Sequence, residues 1–215
     1  MGGSSKGVFI VYAHPSEDSF TRHVRDEFIR GLESAGRRWI LSDLYKMRFR
    51  TDMDESEYRR EAFYRQDLPV PEDVLEEQRK INLSDGIAFI YPVFWSDAPA
   101  KLAGWFDRVW TYGFAYGIPE NPAGNSITAE GTMKRLEKGL VICSAGNTAA
   151  YFRETGLGPA MEKVMLEDRL SNRVRHREML ILDAVSRENP QREARWDTHL
   201  QRVFEAGKAF FDTPE

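Results

Sequence analysis

The sequence contains little cysteine, no long hydrophobic run and little net charge. Its single cysteine, Cys143, excludes an intramolecular disulfide and a cluster of thiolate metal ligands. Because Val141 and Ile142 precede it, we interpret this thiol as a small buried hydrophobe. We expect no signal peptide, and together with the cysteine usage this predicts a cytoplasmic protein.

Further absences narrow the class of function. No stretch reaches the roughly 18 consecutive apolar residues of a membrane span, so membrane insertion is not expected. A formal net charge of −4 does not favour nucleic acid as a partner. The chain also lacks the GxGxxG dinucleotide motif and the GxxxxGK[ST] triphosphate loop. The 215 residues are 41% hydrophobic, and we expect one domain over 1–215 with a disordered end at 1–6.

Strand and helix signals alternate along the chain. Apolar, β-prone runs predict five strands, at 7–13, 39–41, 85–91, 140–143 and 179–182. An i+4 apolar stripe predicts a first helix from Phe20 to about 36, and further helices are expected at 71–83, 98–110 and 158–169. Asn189 is expected to cap a final helix that has Pro190 at its first position. This alternation predicts an α/β fold with a doubly wound, five-stranded parallel sheet of strand order 2-1-3-4-5.

Charged segments are interpreted as solvated surface. Residues 48–71 show no periodicity and are expected to be an exposed excursion on the rim of the sheet, with solvated carboxylates between 52 and 57. The exposed face of the helix at 71–83 is expected to carry Glu76, Glu77 and Lys80. A basic cluster is interpreted as a solvated turn, with the phosphate of NADPH as its alternative ligand: Arg173, Arg175, His176 and Arg177.

The most informative stretch covers residues 91–110, where the third strand passes through an aromatic turn into a helix. Ser96 or Asp97 is the expected N-cap, with Pro99 in the first turn. Aromatic side chains at the carboxyl edge of a parallel sheet suit a flat ring such as a flavin. The alternative is an aromatic loop that only caps the core.

Two more loops follow the first and fourth strands and should reach the same edge. Residues 14–21 lead into a helix whose free N–H groups can hold a phosphate, assisted by His14, Ser19 and Thr21. The alternative is a plain N-cap formed by Asp18 or Ser19. Residues 144–148 form the loop after the fourth strand.

Four motifs in compatible order carry a resemblance to a known family. They are AHPSEDSF at 13–20, DLYKMRF at 43–49, the segment 92–109 and GFAY at 113–116. Over about residues 7–151 the chain resembles the NAD(P)H:quinone oxidoreductases, which are flavin-dependent and have a flavodoxin-like fold. The resemblance implies ping-pong hydride transfer from NAD(P)H to quinones or similar planar acceptors by a homodimer. The segment 43–49 resembles the FAD-using branch, and FMN stays open.

The resemblance also implies roles for individual residues. The flavin phosphates would be bound by His14, Ser19, Phe20 and Thr21. The isoalloxazine would be lined by Pro92, Val93, Phe94 and Trp95. Its pyrimidine side would be held by Ser144, Ala145, Gly146 and Asn147. The catalytic residues would be Tyr151, near the flavin O2, and Trp95. The slot for the nicotinamide and the acceptor would be shaped by Trp95, Phe94, Phe114 and Tyr116.

Two positions depart from the family pattern. Ala145 stands where the family often has glycine, and Leu157 stands where some members have a histidine. Arg153 is a candidate to supply the missing positive charge, or is a solvated arginine. Two other functions therefore stay open: a one-electron carrier of the flavodoxin type, and an ancillary or regulatory subunit such as those of potassium-efflux systems.

Overall fold

The computed structural model describes residues 5–117 and 131–212, so most of the predicted disordered end and nearly all of the loop 117–131 lie outside it. Its strands are β1 (Gly7–Tyr12), β2 (Arg38–Asp43), β3 (Gly86–Pro92), β4 (Leu136–Ser144) and β5 (Val174–Leu182). Its α-helices are α1 (Phe20–Ser34), α2 (Glu55–Ala62), α3 (Glu72–Leu83), α4 (Ala100–Val109), α5 (Ala149–Glu154), α6 (Leu157–Glu162) and α7 (Arg192–Lys208). A π-helix at Lys163–Leu170 and a short 3₁₀ turn at Ser171–Arg173 lead into β5.

The five strands form one parallel sheet in the order β2-β1-β3-β4-β5, as predicted. The central strands β1 and β3 are buried along their whole length, which explains their unbroken apolar sequence. One face of the sheet packs against α1 and α7, and the other packs mainly against α3, α4 and the helices after β4. The next strand lies on one side of the sheet after β1 and on the other side after β3. A crevice therefore opens between the carboxyl ends of these two strands.

Helices α1 and α7 approach each other through glycines. A Cβ placed on Gly207 would overlap the carbonyl oxygen of Phe28, and a Cβ on Gly31 would overlap that of Phe204. Only glycine permits this backbone contact, so α7 fixes the position of α1 against the sheet.

The predicted rim segment is more ordered than its composition suggested. It contains α2, which begins with a capping box between Asp54 and Glu57. The prediction that the carboxylates at 52–57 are solvated is wrong for Glu57, which is 6% exposed and accepts a hydrogen bond from Nε of Arg108 at 2.7 Å. Arg108 also pairs with Asp73 of α3. A buried arginine needs such carboxylates, because an unpaired buried charge is costly.

Glu77 in α3 corrects a second surface assignment. It is fully buried rather than exposed, and it accepts hydrogen bonds from Ser42, Lys80 and the indole of Trp105. Lys80 forms an ion pair with Glu77, at 2.6 Å.

Several element boundaries differ from the prediction. Helix α4 begins after Pro99 rather than after Ser96 or Asp97, and α7 begins at Arg192, so Asn189 does not cap it. Strands β4 and β5 both start earlier than predicted, and the basic residues 175–177 therefore lie in the edge strand β5 rather than in a turn. This places them near the amino end of β5, away from the carboxyl edge. Among the described residues, no helix is long and apolar enough to cross a bilayer.

Candidate functional site

The three predicted loops follow neighbouring strands at the carboxyl edge of the sheet. The N–H of Ala13, after β1, donates to Ile90 O at 3.0 Å, and the N–H of Val93, after β3, donates to Ser144 O at 2.8 Å. The N–H of Ala145, after β4, donates to Leu182 O at 2.9 Å. These bonds carry the sheet pairing up to the base of each loop, so the loops start from fixed positions.

The first loop delivers backbone donors at the start of α1. Ser19 is the N-cap, and its hydroxyl accepts from the N–H of Arg22 at 3.1 Å. The N–H groups of Phe20 and Thr21 precede the first intrahelical bond and have no acceptor within the helix. The helix dipole adds partial positive charge at this point, so the two donors can bind a phosphate.

His14 stands at the base of the same loop with one ring nitrogen engaged. Its Nδ1 lies 3.0 Å from both the N and the O of Ser16, so it either accepts from the Ser16 N–H or donates to the Ser16 carbonyl. Burial lowers the pKa of His14 below its ordinary value of 6.5, so the free protein holds a neutral ring at pH 7. With Nδ1 accepting, the proton sits on Nε2, which can donate to an anion.

The turn between β3 and α4 presents Trp95 to solvent. Phe94 and Asp97 exchange two backbone hydrogen bonds of 3.0 Å, and Trp95 and Ser96 between them both have positive φ, at 51° and 59°. Two consecutive left-handed residues other than glycine are unfavourable. The Trp95 side chain is fully exposed, so it does not cap the core. Such strain around an exposed indole indicates a binding surface.

Two of the main-chain N–H groups at this turn are used within the fold. The N–H groups of Val93 and Phe94 are already engaged, with Ser144 O and Asp97 O. The donors at the turn are therefore those of Trp95 and Ser96. Asp97 is held in place by Arg169, whose Nη1 lies 3.1 Å from the carboxylate.

The loop after β4 leaves two residues with available N–H groups. The N–H of Ala145 is engaged with Leu182 O and its side chain is buried, so this residue is part of the sheet. Gly146 and Asn147 follow it and are exposed. Among the described residues, a Cβ on Gly146 would come no closer than 3.7 Å to another atom, at Ser186. The fold itself therefore does not require glycine here, whereas a ligand that approaches the backbone closely would.

Tyr151 lies in α5, a short helix that the sequence reading missed. The helix is capped by Thr148, whose hydroxyl accepts from the N–H of Tyr151 at 3.2 Å, and the Tyr151 side chain is 40% exposed. Arg153, two residues on, is exposed, which fits a solvated side chain. Leu157 packs against the core and offers no polar group to the edge.

Phe114 and Tyr116 lie away from this edge. They follow α4, whereas Trp95 precedes it, and ten helical residues span about 15 Å. Phe114 is buried, and Tyr116 lines a cavity of about 270 Å³ with residues such as Phe106 and Trp110 from the second half of α4. One copy of the chain therefore does not bring Tyr116 to Trp95.

Sequence reasoning missed Glu61, which contacts a predicted site residue. Its Oε2 accepts from the hydroxyl of Tyr116 at 2.8 Å. The signal that could have found it is Asp54–Glu57, an Asp-x-x-Glu pattern typical of a capping box at a helix start. A helix starting there puts Glu57 and Glu61 four residues apart, on one face.

Comparison with known proteins identifies the fold and the family. The profile of a protein family described as having a flavodoxin-like fold matches residues 6–174. The chain is similar to a solved NAD(P)H:quinone oxidoreductase from Methanothermobacter marburgensis, with 40% identity, a TM-score of 0.86, and coverage of 99% of this chain and 100% of that one.

Two further comparisons concern proteins with lower sequence identity to this chain. The ribosyldihydronicotinamide dehydrogenase [quinone] of Mus musculus is 36% identical over 169 residues, which are 72% of this chain and 69% of the mouse protein. An FMN-dependent NADH-azoreductase from Bacillus anthracis, solved in complex with FMN, shares the fold at 15% identity and a TM-score of 0.67, with 96% and 100% coverage. The matched part spans 64% of the length of a related protein from Penicillium crustosum and 69% of the length of the mouse protein.

Proposed function

Since the chain belongs to the NAD(P)H:quinone oxidoreductase family of the flavodoxin-like fold, we propose that it is a flavin-dependent oxidoreductase. It would transfer hydride from NAD(P)H to quinones or similar planar acceptors in a ping-pong order. The observation that carries the proposal is Trp95, a fully exposed indole held in a left-handed turn at the carboxyl edge of the sheet. A planar ring bound against this turn would account for both the strained backbone and the exposed indole.

The residues at this edge fit a flavin. The N–H groups of Phe20 and Thr21, with Ser19 and His14 beside them, would bind its phosphate or pyrophosphate. Gly146 offers space beside its exposed backbone, as the close approach of a flat ring requires. When bound, a flavin accepts hydride from a reduced nicotinamide and delivers it to an acceptor.

Each residue of the ring site has a distinct task in this proposal. Pro92, Val93 and Phe94 form the wall that leads to Trp95, whose indole would cover the ring. The N–H groups of Gly146 and Asn147 would donate to the pyrimidine side, and Ser144 and Ala145 hold that loop to the sheet. The exposed phenol of Tyr151 would donate to the O2 position.

Phe114 and Tyr116 take part in the slot only if a second copy supplies them. Within one chain, helix α4 separates them from Trp95. We propose a homodimer in which Trp95 of one copy and Tyr116 of the other border the same slot. Three exposed aromatic side chains lie in α2 or directly after it: Tyr58, Phe63 and Tyr64. The rings of Tyr64 and Tyr112 are 5.1 Å apart, so this cluster lies near the segment that carries Tyr116. An exposed cluster of this kind supports an interface there.

The cofactor is tested by incubating purified protein with FAD and separately with FMN, desalting, and recording the visible absorption spectrum. We expect FAD to be retained, because the segment 43–49 resembles that of the FAD-using branch; retention of FMN alone would reassign the cofactor. Gly146→Ala should fold with unchanged Tm yet retain less flavin, since the added Cβ comes no closer than 3.7 Å to another described atom.

Activity is tested by NAD(P)H oxidation with menadione as acceptor. A flavin-loaded sample that oxidises neither NADH nor NADPH would favour the electron-carrier function instead. Absence of bound flavin, together with co-purification of a membrane protein, would favour the ancillary-subunit function. Cell fractionation checks the cytoplasmic location that belongs to the same proposal.

Mixed dimers test the shared slot. Trp95→Ala and Tyr116→Ala chains, carrying different tags, are co-expressed and the doubly tagged dimer is isolated. If each slot draws on both copies, the mixed dimer has one intact slot and about half of the wild-type activity, although each parent dimer is impaired. If both residues serve the slot of their own copy, the mixed dimer stays as impaired as its parents.

A further inference from the structure

Glu61, near the end of α2, holds the segment that carries Tyr116. Its Oε2 accepts from the N–H of Tyr112 at 2.7 Å and from the Tyr116 hydroxyl at 2.8 Å. Its Oε1 accepts from Nη1 of Arg60 at 2.8 Å. Both carboxylate oxygens are therefore engaged, and one side chain determines where the two ends of the segment 112–116 lie.

The position of Glu61 is fixed by a buried ion-pair cluster one turn earlier in α2. Glu57 is bound by Arg108 at 2.7 Å and by Arg50 at 2.5 Å, and Arg108 also binds Asp73. Arg108 is 2% exposed and belongs to α4, so these bonds attach α2 to the core of the protein. Charge-assisted bonds of this kind are shorter and more directional than neutral ones.

Aromatic contacts transmit the same constraint. The rings of Tyr64 and Tyr112 meet edge to face with centroids 5.1 Å apart, and those of Tyr112 and Tyr116 are 5.8 Å apart. The backbone closes the segment as well, because the N–H of Gly113 donates to Tyr116 O at 2.7 Å. The Tyr116 ring is thus oriented from both its hydroxyl and its main chain.

The bond to Glu61 also decides what Tyr116 can offer a ligand. A carboxylate only accepts, so the phenol must be the donor and its proton is committed to Glu61. Burial, with the neighbouring Glu61 carboxylate, raises the pKa of Tyr116 above its ordinary value of 10.0, so the phenol stays protonated. Tyr116 is left with its ring, which suits stacking on a planar acceptor such as a quinone.

We propose that Glu61 is a positioning residue for the acceptor slot, acting by fixing the ring and hydroxyl orientation of Tyr116. This inference rests on the proposed function, in which Tyr116 borders that slot. Glu61 itself does not touch the acceptor. It sets the affinity for planar acceptors through Tyr116, while leaving the flavin-binding edge unchanged.

The test compares Glu61→Ala, Glu61→Gln and the control Glu55→Ala in the flavin-loaded protein, with menadione as acceptor. Glu55 lies on the same helix in an exposed pair with Arg59. Glu61→Ala should raise KM for menadione about tenfold, equivalent to about 1.4 kcal/mol, with a smaller change in kcat. Glu61→Gln keeps an acceptor oxygen and should recover most of the affinity. Glu55→Ala should behave as wild type, and all three should retain flavin equally.

A double variant separates positioning from general damage. In a Tyr116→Phe background the hydroxyl is already absent, so Glu61→Ala should raise KM less than it does in the wild type. Additive effects would overturn the proposal, as would a Glu61→Ala variant whose KM equals that of the Glu55→Ala control. If Glu61→Ala does not fold, Tyr116→Phe removes the same hydrogen bond from the other side and should raise KM by a comparable factor; an unchanged KM in Tyr116→Phe would overturn the proposal. A wild-type protein that binds no flavin or reduces no quinone instead refutes the proposed function itself.

Discussion

The hydroxyl oxygens of Thr21 and Ser144 lie 2.8 Å apart, although 123 residues separate them in the chain. Thr21 lies in the first turn of α1, which follows β1, and Ser144 is the last residue of β4. Because β3 lies between β1 and β4 in the sheet, this buried bond spans β3. It connects the first and third of the loops that form the candidate flavin site. The bond fixes the distance between the proposed phosphate donors and the proposed pyrimidine donors. In the proposed function, a single flavin molecule contacts both.

Removing one partner of that bond should weaken both the fold and the site. Thr21→Val keeps the side-chain shape but leaves the Ser144 hydroxyl buried without this partner, which should cost about 1–3 kcal/mol of unfolding free energy. Urea denaturation measures this loss. The double variant Thr21→Val/Ser144→Ala should lose less than the sum of the single losses; simple additivity would show that the two hydroxyls do not interact.

Trp95 should matter for the ligand and not for the fold. Because its side chain is fully exposed, Trp95→Ala should leave the free energy of unfolding within about 0.5 kcal/mol of the wild type. Flavin retention and quinone reduction should both fall at least tenfold. Trp39→Ala, in the edge strand β2, is the matched control and should keep the flavin. Equal flavin retention in the two variants would remove Trp95 from the site.

Arg108 should be among the most sensitive positions for stability. Arg108→Ala leaves Glu57 buried without its main partner, and a loss of about 3–5 kcal/mol is expected. Arg108→Met fills more of the space and separates the lost charge from the lost volume. Differential scanning calorimetry of the two variants measures both effects. A Tm like that of the wild type in Arg108→Ala would contradict the structural role of the cluster.

The same cluster predicts an acid dependence. The hydrogen bond from Arg108 holds the pKa of Asp73 below its ordinary value of 3.8 in the folded state. The unfolded state therefore binds more protons as the pH falls below about 4, so this contribution is present above that pH and is lost as the pH falls through the folded pKa. In Arg108→Met the contribution should be missing, and the acid slope of stability should be shallower.

If flavin binds as proposed, His14 should make its affinity depend on pH. Burial lowers the pKa of His14 in the free protein, whereas a bound phosphate favours the charged ring and raises it. Binding then takes up a proton, so flavin affinity should increase as the pH falls from about 8 to about 6. Titration calorimetry measures the affinity, and His14→Asn should flatten the dependence. An affinity independent of pH would exclude contact between His14 and the phosphate.

The sheet was predictable from sequence because its signals are local and strong. Runs such as 7–12 and 86–92 are apolar throughout, and the apolar stripe from Phe20 to Leu32 has helical spacing. The loops at the carboxyl edge followed from the strand order. The Ser19 cap and the buried Cys143 were also predicted correctly.

The errors concern charges that are buried through distant partners. Glu57, Glu77 and Arg108 look like surface residues in the sequence, because nothing near them in the chain reveals that they pair across helices. His199 is likewise only 4% exposed, and its Nε2 lies 2.9 Å from Asp183 O, a partner 16 residues away in the chain. Propensity reports local preference, whereas these contacts are set by tertiary structure.

The candidate site was predictable in its position and not in its donors. The loops after β1, β3 and β4 do lie at one edge, whereas the segment 113–116 does not, and the engagement of the Val93 and Ala145 N–H groups depends on backbone bonds between strands. The separation of Tyr116 from Trp95 follows from the length of α4. The sequence predicts that helix, but the prediction that both side chains shape one slot did not take its length into account.

The glycine contact between α1 and α7 has a consequence for how the protein is made. Gly207 packs against α1, the helix whose start forms the proposed phosphate site. In the sequence, Gly207 follows all five strands. A nascent chain with its whole sheet synthesised still lacks the surface that seals α1 against it. Under the proposed function, flavin is therefore expected to bind late, after α7 has left the ribosome. It would then bind to folded apoprotein and not to the nascent chain.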